Sequence, residues 1–347
     1  MTSPVVSVLM AVYNAERWLD QSLTSLLRQQ TLTQLEVVAV DDASTDASLA
    51  ILQRWAEKDS RLRVLHHDEN RGQAAARNLA LRHASGEYVC MVDADDWLSP
   101  DALQRAVEQF QRNDEVDAVV LRLMMYYDDV QPSAERPERV TPPAALTAGS
   151  GYYYPEPYAE GSTVSGRQAF VDSLTWRVHG LYLVRMTIHR EHPYDDSSRL
   201  YSDDNTTRIH YLHSRRVAFC GGVYYYRQNP QSTTHQVSEQ RFLYLDANLS
   251  MRRQLLAEAV DAEVLNTYEQ HRWLNYVGMW VFYLQHRSDY DHQARLRIAR
   301  KLRTFYSSFS GQPLQRVKFG YIRMRHYRIF LAQVYIYYYM RRLLGRS

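Results

Sequence analysis

The chain has 347 residues, enough for one large domain or two modest ones with a sizeable core. Its 41 Lys or Arg nearly balance its 39 Asp or Glu, and two cysteines with no metal-site spacing exclude a disulfide framework and a zinc module. The net charge of +2 hides a segregation: residues 292–347 carry 13 basic and no acidic side chains, while residues 1–291 carry 28 basic and 39 acidic ones, a net −11. Such separation calls for a partner of opposite sign near the carboxyl end.

Val5 to Val12 is an apolar run of strand length, and Ala15 to Arg28 follows with helical spacing at Trp18, Leu19, Leu23, Leu26 and Leu27. Leu35 to Val40 predicts a second strand, and a helix bearing Leu49, Leu52 and Trp55 runs after Asp46. Leu62 to Leu65, Gly72 to His83 and Tyr88 to Val92 then give strand, helix and strand. Strands alternating with helices predict an α/β fold, a Rossmann-like, mostly parallel sheet flanked by helices. Neither a Gly-x-Gly-x-x-Gly turn nor a Gly-x-x-x-x-Gly-Lys loop is present, which makes a dehydrogenase or P-loop ATPase a poor fit.

The stretch Gly86 to Trp97 organises the rest. Its strand stops at three carboxylates in four residues, Asp93, Asp95 and Asp96, and Ser99-Pro100-Asp101 is expected to cap and open a helix. The acids therefore lie at the carboxyl end of a strand, where open α/β sheets place ligands. Asp93 and Asp95 are expected to point the same way, and oxygen-only ligands suit Mg²⁺ or Mn²⁺. Taken alone, Asp-x-Asp also fits a solvated acidic turn.

Four blocks then stand together: Ser7 to Asn14, Val40 to Asp46, Asn70 to Asn78 and Val92 to Trp97. In order and spacing they resemble family 2 glycosyltransferases, inverting enzymes of GT-A fold that use nucleotide sugars. The resemblance covers roughly the first 115 residues closely. It implies a donor pocket at Ala11, Tyr13 and Glu16, with Tyr13 lying against a base or ribose. It makes Asp42 the acceptor of a pyrimidine hydrogen bond, beside the alternative of helix capping before Asp46, two roles that can coexist at this turn. Arg77 offsets diphosphate charge or, alternatively, is a surface helix arginine. Asp93 and Asp95 become metal ligands, Asp95 the more direct, with Asp96 behind them or solvated.

Ala118 to Leu123 is a further strand, followed from Tyr126 to Gly166 by a stretch with six prolines and no clear period. Its tyrosines either stack on acceptor sugars or belong to an ordered insertion. Leu200 to Asn205 resembles the family element that supplies the general base, which by position is Asp204, with Asp203 holding local structure. The chain departs from the family at Gly180, where lysine is common, and at Thr207, where a larger apolar residue is frequent. Val217 to Tyr226 predicts a strand pair or hairpin around Gly221-Gly222, leading to Arg227 and His235, which are either phosphate contacts or surface residues.

From Glu239 the pattern is helical, and residues 316–346 interleave arginines with aromatic and aliphatic bulk, the composition of a helix in a membrane interface. A helix packed on its domain and a nucleic-acid surface are the competing readings, and no nucleic-acid motif supports the last. The expected organisation is a GT-A domain over 1–236, with a nucleotide-sugar half to about 123 and an acceptor half beyond, then a helical region over 237–347. The resemblance implies sugar transfer from a nucleotide diphosphate donor, a UDP-sugar first, to a hydroxyl of a surface glycan or lipid-linked acceptor. A nucleotidyltransferase for sugar phosphates and a non-catalytic, membrane-associated nucleotide-sugar binder are the rivals. No run reaches the ~18 apolar residues of a membrane span, and Met1-Thr-Ser-Pro leads straight into a strand. The expected location is therefore cytoplasmic, at most peripheral on the inner face of the plasma membrane, with Cys90 and Cys220 as buried thiols.

Overall fold

The computed structural model of the chain describes residues 5–29, 34–127, 139–140, 150–197, 200–228, 237–309 and 326–344. They fall into two compact units, Met1–Pro230 and Gln231–Ser347.

The first unit begins with alternating strands and helices: β1 (Val6–Val12), α1 (Leu19–Leu27), β2 (Leu35–Asp41), α2 (Ser48–Ala56), β3 (Leu62–His66), α3 (Gln73–His83) and β4 (Tyr88–Met91). It continues through β5 (Trp97–Leu98), α4 (Ala102–Arg112), β6 (Val116–Tyr127), β7 (Arg139–Val140), β8 (Ser150–Tyr153) and β9 (Thr163–Ser165). Helix α5 (Gly166–Ser173), β10 (Tyr182–Arg185), α6 (Met186–Glu191), α7 (Ser202–His213) and β11 (Arg216–Arg227) complete it. The main sheet runs β3-β2-β1-β4-β10-β6-β11-β5. All of these strands except β10 and β5 run the same way, so the sheet is mostly parallel. β1 and β2 read as near-continuous apolar runs because helices cover both faces: Val6, Val8, Leu9, Met10, Val37, Val38, Ala39 and Val40 are all buried.

Several expectations are corrected. The first helix starts at Leu19, not Ala15, because the N–H groups of Asn14, Ala15 and Glu16 donate to Ser44, Ser48 and Asp46, which holds this stretch in a loop. Ser99 does not cap α4. Its hydroxyl donates to Asp101 and accepts from the Val223 N–H, and the helix begins at Ala102. The expected hairpin at Gly221-Gly222 is one continuous strand, β11, whose pairing with β6 slips between Phe219 and Val223. The glycine is needed for close approach: a Cβ at Gly222 would lie 2.7 Å from the Cα of Ala102. In the proline-rich stretch, β8 pairs with β6, and the Tyr154 and Tyr158 hydroxyls donate to the Trp176 carbonyl and to Asp172. Those two tyrosines hold an ordered insertion.

The second unit is helical: α8 (Leu243–Ala257), α9 (Ala262–Gln285), α10 (His292–Tyr306) and α11 (Tyr327–Leu343). Its core is aromatic, with Trp273, Tyr276, Phe305, Phe309 and Phe330 in mutual contact. Part of the basic tail thus packs as a helix: Phe330 and Val334 on α11 are buried in this core.

Gly222→Ala should cost about 1–3 kcal/mol, since backbone rather than a flexible side chain opposes the new methyl group. Gly278→Ala on α9, where nothing lies within 4 Å of the new Cβ, should be neutral or stabilise by up to about 1 kcal/mol. Denaturant unfolding of the two variants checks the contrast.

Candidate active site

Strand β4 ends at Met91, and the turn that follows is held from behind. The Tyr224 hydroxyl on β11 accepts from the Asp93 N–H at 3.1 Å and donates to Asp96 Oδ2 at 2.8 Å. The Arg227 N–H donates to Asp96 Oδ1 at 2.7 Å, and Arg227 Nε donates to the Asp95 carbonyl at 2.8 Å. Asp96 is therefore buried and fully engaged, not solvated. Burial, then the charges of Asp95 and Asp93, push its carboxyl well above the ordinary carboxylate range. Asp93 and Asp95 are half-buried at the same turn.

Arg77 is the other half of the construction. It sits on α3 between Ala74 and Ala80, on the buried side of the helix, and is wholly buried. Its Nη2 donates to Asp93 Oδ1 at 2.6 Å, and its Nη1 lies 3.8 Å from Asp203 Oδ2 on α7. Burial pulls the guanidinium pKa down, but Asp93 and Asp203 outweigh it and hold the group above its ordinary value. The surface-arginine alternative is thereby excluded. One turn earlier on the same helix, Gln73 Nε2 also donates to Asp93 Oδ1, at 3.2 Å. Asn78 completes the junction through two 2.9 Å bonds with the backbone of Tyr194.

Helix α7 opens after Tyr201, whose φ of 64° is the left-handed region, and carries Asp203 and Asp204 in its first turn. Burial and then the charge of Asp203 raise Asp204 to about 8, while Arg208 and Arg77 pull the other way. A carboxyl with that pKa changes protonation near neutrality, the range in which a proton acceptor works. The two departures from the family pattern face each other. A Cβ at Gly180 would lie 2.6 Å from the Thr207 hydroxyl, which donates to the Asp203 carbonyl.

The remaining expected residues are placed as follows. Tyr13 is 52 % exposed beside half-buried Ala11. Glu16 accepts from the Ala47 N–H at the start of α2. Asp42 is buried, and its carboxylate accepts from the Arg71 and Gly72 N–H groups with His67 Nδ1 at 2.7 Å, so it builds the loop before α3. Arg227 is corrected: it is only 3 % exposed, its guanidinium lies 4.2 Å from the Trp18 ring and 4.6 Å from the Trp97 ring, and Nη2 donates to Gln21. It braces the acid turn from behind. His235 lies outside the described residues. Sequence reasoning gave no role to Gln73 or Tyr224. The four-residue spacing from Gln73 to Arg77 was the available signal for the first, and nothing local marked the second. Cys90 and Cys220 are free, buried thiols, both pushed up to about 12, by burial above all.

The Asp93, Asp95 and Asp96 set supplies only oxygen ligands, and the Asp93 Oδ2 atom takes no hydrogen bond among the described residues. Burial first, and then the neighbouring acids, raise Asp96, and three carboxyl groups gathered on one turn are a donor set that a hard divalent cation fits.

The model of the family described as Glycosyl transferase family 2 matches residues 7–171, a span that holds the acid turn and Arg77. Those residues belong to that family. An uncharacterized glycosyltransferase of Bacillus subtilis, EpsJ, is 30 % identical over 67 % of this chain and 63 % of its own length. The chain spans between 36 % and 63 % of the length of the first three curated relatives it matches. Among solved structures, S. aureus TarS 1-349 in complex with UDP-GlcNAc superposes with a TM-score of 0.67 at 18 % identity, over 99 % of this chain and 92 % of that one. The mannosyltransferase PcManGT from Pyrobaculum calidifontis, in complex with GDP-Man and Mn²⁺, gives 0.53 at 18 % identity, over 100 % and 89 %. The fold is GT-A.

Arg77→Met strands Asp93 and Asp203 without their shared cation. It should cost about 3 kcal/mol, the low end for a broken buried pair because both carboxylates keep some contact with water. Arg77→Lys should recover part of that loss in the same denaturant experiment.

Proposed function

We propose that the chain transfers a sugar, with inversion, from a nucleoside diphosphate sugar to a hydroxyl of a surface glycan or lipid-linked acceptor. The observation that carries the reading is the pairing across Arg77: an acid turn able to hold a cation on one side, and a carboxyl of pKa about 8 on the other. TarS, whose structure contains UDP-GlcNAc, supports a UDP-sugar donor, and the Mn²⁺ in PcManGT supports a divalent metal. The donor-side assignments are Ala11, Tyr13, Glu16 and Asp42, the metal ligands are Asp95 and Asp93, and buried Arg77 acts behind them as the partner of Asp93.

The chemistry is a single displacement. Asp204 accepts the proton of the acceptor hydroxyl as that oxygen bonds to the anomeric carbon, and the bond from that carbon to the diphosphate breaks with its electron pair leaving on phosphate. Asp203, held by Arg77, keeps the first turn of α7 in place. A bound Mg²⁺ or Mn²⁺ would offset the charge of the departing diphosphate. One base suffices, so the carboxylate pair of a retaining glycosidase is not required.

No described helix is long and apolar enough to cross a membrane. Peripheral attachment at the inner face of the plasma membrane through residues 316–347 belongs to the same proposal, because a lipid-linked acceptor resides in that membrane.

Asp204 must lose its proton to act, so kcat/KM for the acceptor should rise tenfold per pH unit below about 8 and level above it. Asp204→Asn should remove that rise and lower transfer by about 10²–10⁴-fold while UDP affinity stays within twofold. Normal transfer by this variant would overturn the assignment.

Asp95→Asn tests the metal. Donor affinity should lose its dependence on Mn²⁺, read by calorimetric titration of UDP with and without the ion. Unchanged metal-dependent binding would refute the ligand role.

A further inference from the structure

Helix α11 is apolar on two sides. Phe330 and Val334 face the core of the helical unit, whereas Ile329, Ile336, Tyr339, Met340 and Leu343 are exposed, Ile336 at 60 % and Leu343 at 86 %. Ile329, Ile336 and Leu343 recur at seven-residue steps, so they form one stripe on the outer side of the helix. Beside it opens a groove of about 490 Å³ lined by Arg287, Ser288, Arg295, Tyr338 and Arg342.

Its three arginines come from three elements: the single turn Arg287–Asp289, α10 and α11. Elsewhere in this unit Arg297 pairs with Glu239 and Lys301 with Asp246. Arg287, Arg295 and Arg342 form no close ion pair among the described residues, Asp291 acting on Arg295 only through its charge, and Arg295 Nε is buried without a hydrogen-bond acceptor. The two nearby acids are turned to other groups: Asp289 to His286 and Ser288, Asp291 to the Ala294 N–H that starts α10. Arginines that converge with donors unsatisfied favour a phosphate, which accepts several of them at once.

We propose that this groove binds the phosphate of an anionic membrane lipid headgroup while the outer stripe of α11 lies among the lipid chains. A lipid, rather than free phosphate, is the occupant because Arg342 is followed directly by exposed Leu343 and Leu344. The acid-free composition of residues 292–347 removes the repulsion an anionic surface would otherwise meet. The inference gives the membrane attachment proposed above a specific site, and it does not depend on the transfer chemistry.

The test uses the full chain in flotation with vesicles of phosphatidylcholine alone or mixed with phosphatidylglycerol. Binding should require phosphatidylglycerol and weaken with salt. Arg295→Gln/Arg342→Gln should weaken it roughly tenfold or more, while Arg253→Gln/Arg300→Gln, an equal charge change outside the groove, should weaken it less than about threefold. Ile336→Ser/Leu343→Ser should also release the protein. Donor hydrolysis should be unchanged in every variant, which separates failure of the groove from failure of the transferase reading. Four results would overturn the proposal: indifference to anionic vesicles, equal losses from the two arginine pairs, protection by inorganic phosphate without vesicle binding, or a stripe variant that changes only oligomeric mass.

Discussion

One buried guanidinium holds the first unit's chemistry together. Five carboxyl groups, Asp93, Asp95, Asp96, Asp203 and Asp204, gather where a strand end meets a helix start, and like charges 4 Å apart repel by about 4 kcal/mol at the effective dielectric of a protein surface. Arg77 touches two of them, Asp93 and Asp203. The others are managed differently. Asp96 is pressed toward its neutral form and accepts from Tyr224 and the Arg227 backbone. Asp204 keeps its proton to about pH 8. Asp93 and Asp95 stay half-buried at the turn, and the Oδ2 of Asp93 takes no hydrogen bond among the described residues. The same charge excess that would destabilise an empty turn would give a cation affinity there, as the proposed function requires.

The acid turn is also held mechanically. Tyr224 and Arg227 reach it from β11, which can run alongside the turn only because two residues bulge out before Val223 and Gly222 lets the strand pass against α4. The Arg227 guanidinium then lies over Trp18 and Trp97, a placement in which ring faces and Gln21 contribute to stabilising its charge. A bulge, a brace and a turn thus form a single device, and the strand that carries the brace is far from the turn in sequence.

This distance explains what was legible from residues alone. The strands β1 to β4 were legible because burial on both faces leaves continuous apolar runs, and Asp93 and Asp95 because they end such a run. Arg77 could have been placed inside, since it shares a three-residue step with buried Ala74 and Ala80. Gly221-Gly222 misled because paired glycines signal a turn locally, whereas the close approach of Ala102 that requires the second of them is tertiary. Asp96 stayed open between a place behind the metal ligands and solvent, and Arg227 between a phosphate contact and the surface, for the same reason: the partners that bury them lie on another strand, on another helix and in two tryptophan rings.

Gly180 and Thr207 extend the argument to specificity. Each departs singly from the family pattern, yet in space they are one substitution, because the absent Cβ of the first makes room for the hydroxyl of the second. That hydroxyl closes the first turn of α7 onto the Asp203 carbonyl. A lysine at position 180 would bring a cation toward Asp203 and Asp204 and depress the pKa of the base. With glycine there, burial and the charge of Asp203 set the protonation of Asp204, and Arg208 and Arg77 are the cations that oppose them. The space a Cβ at position 180 would need is thus taken by the Thr207 hydroxyl, which ties this pair to the turn that carries Asp203 and Asp204.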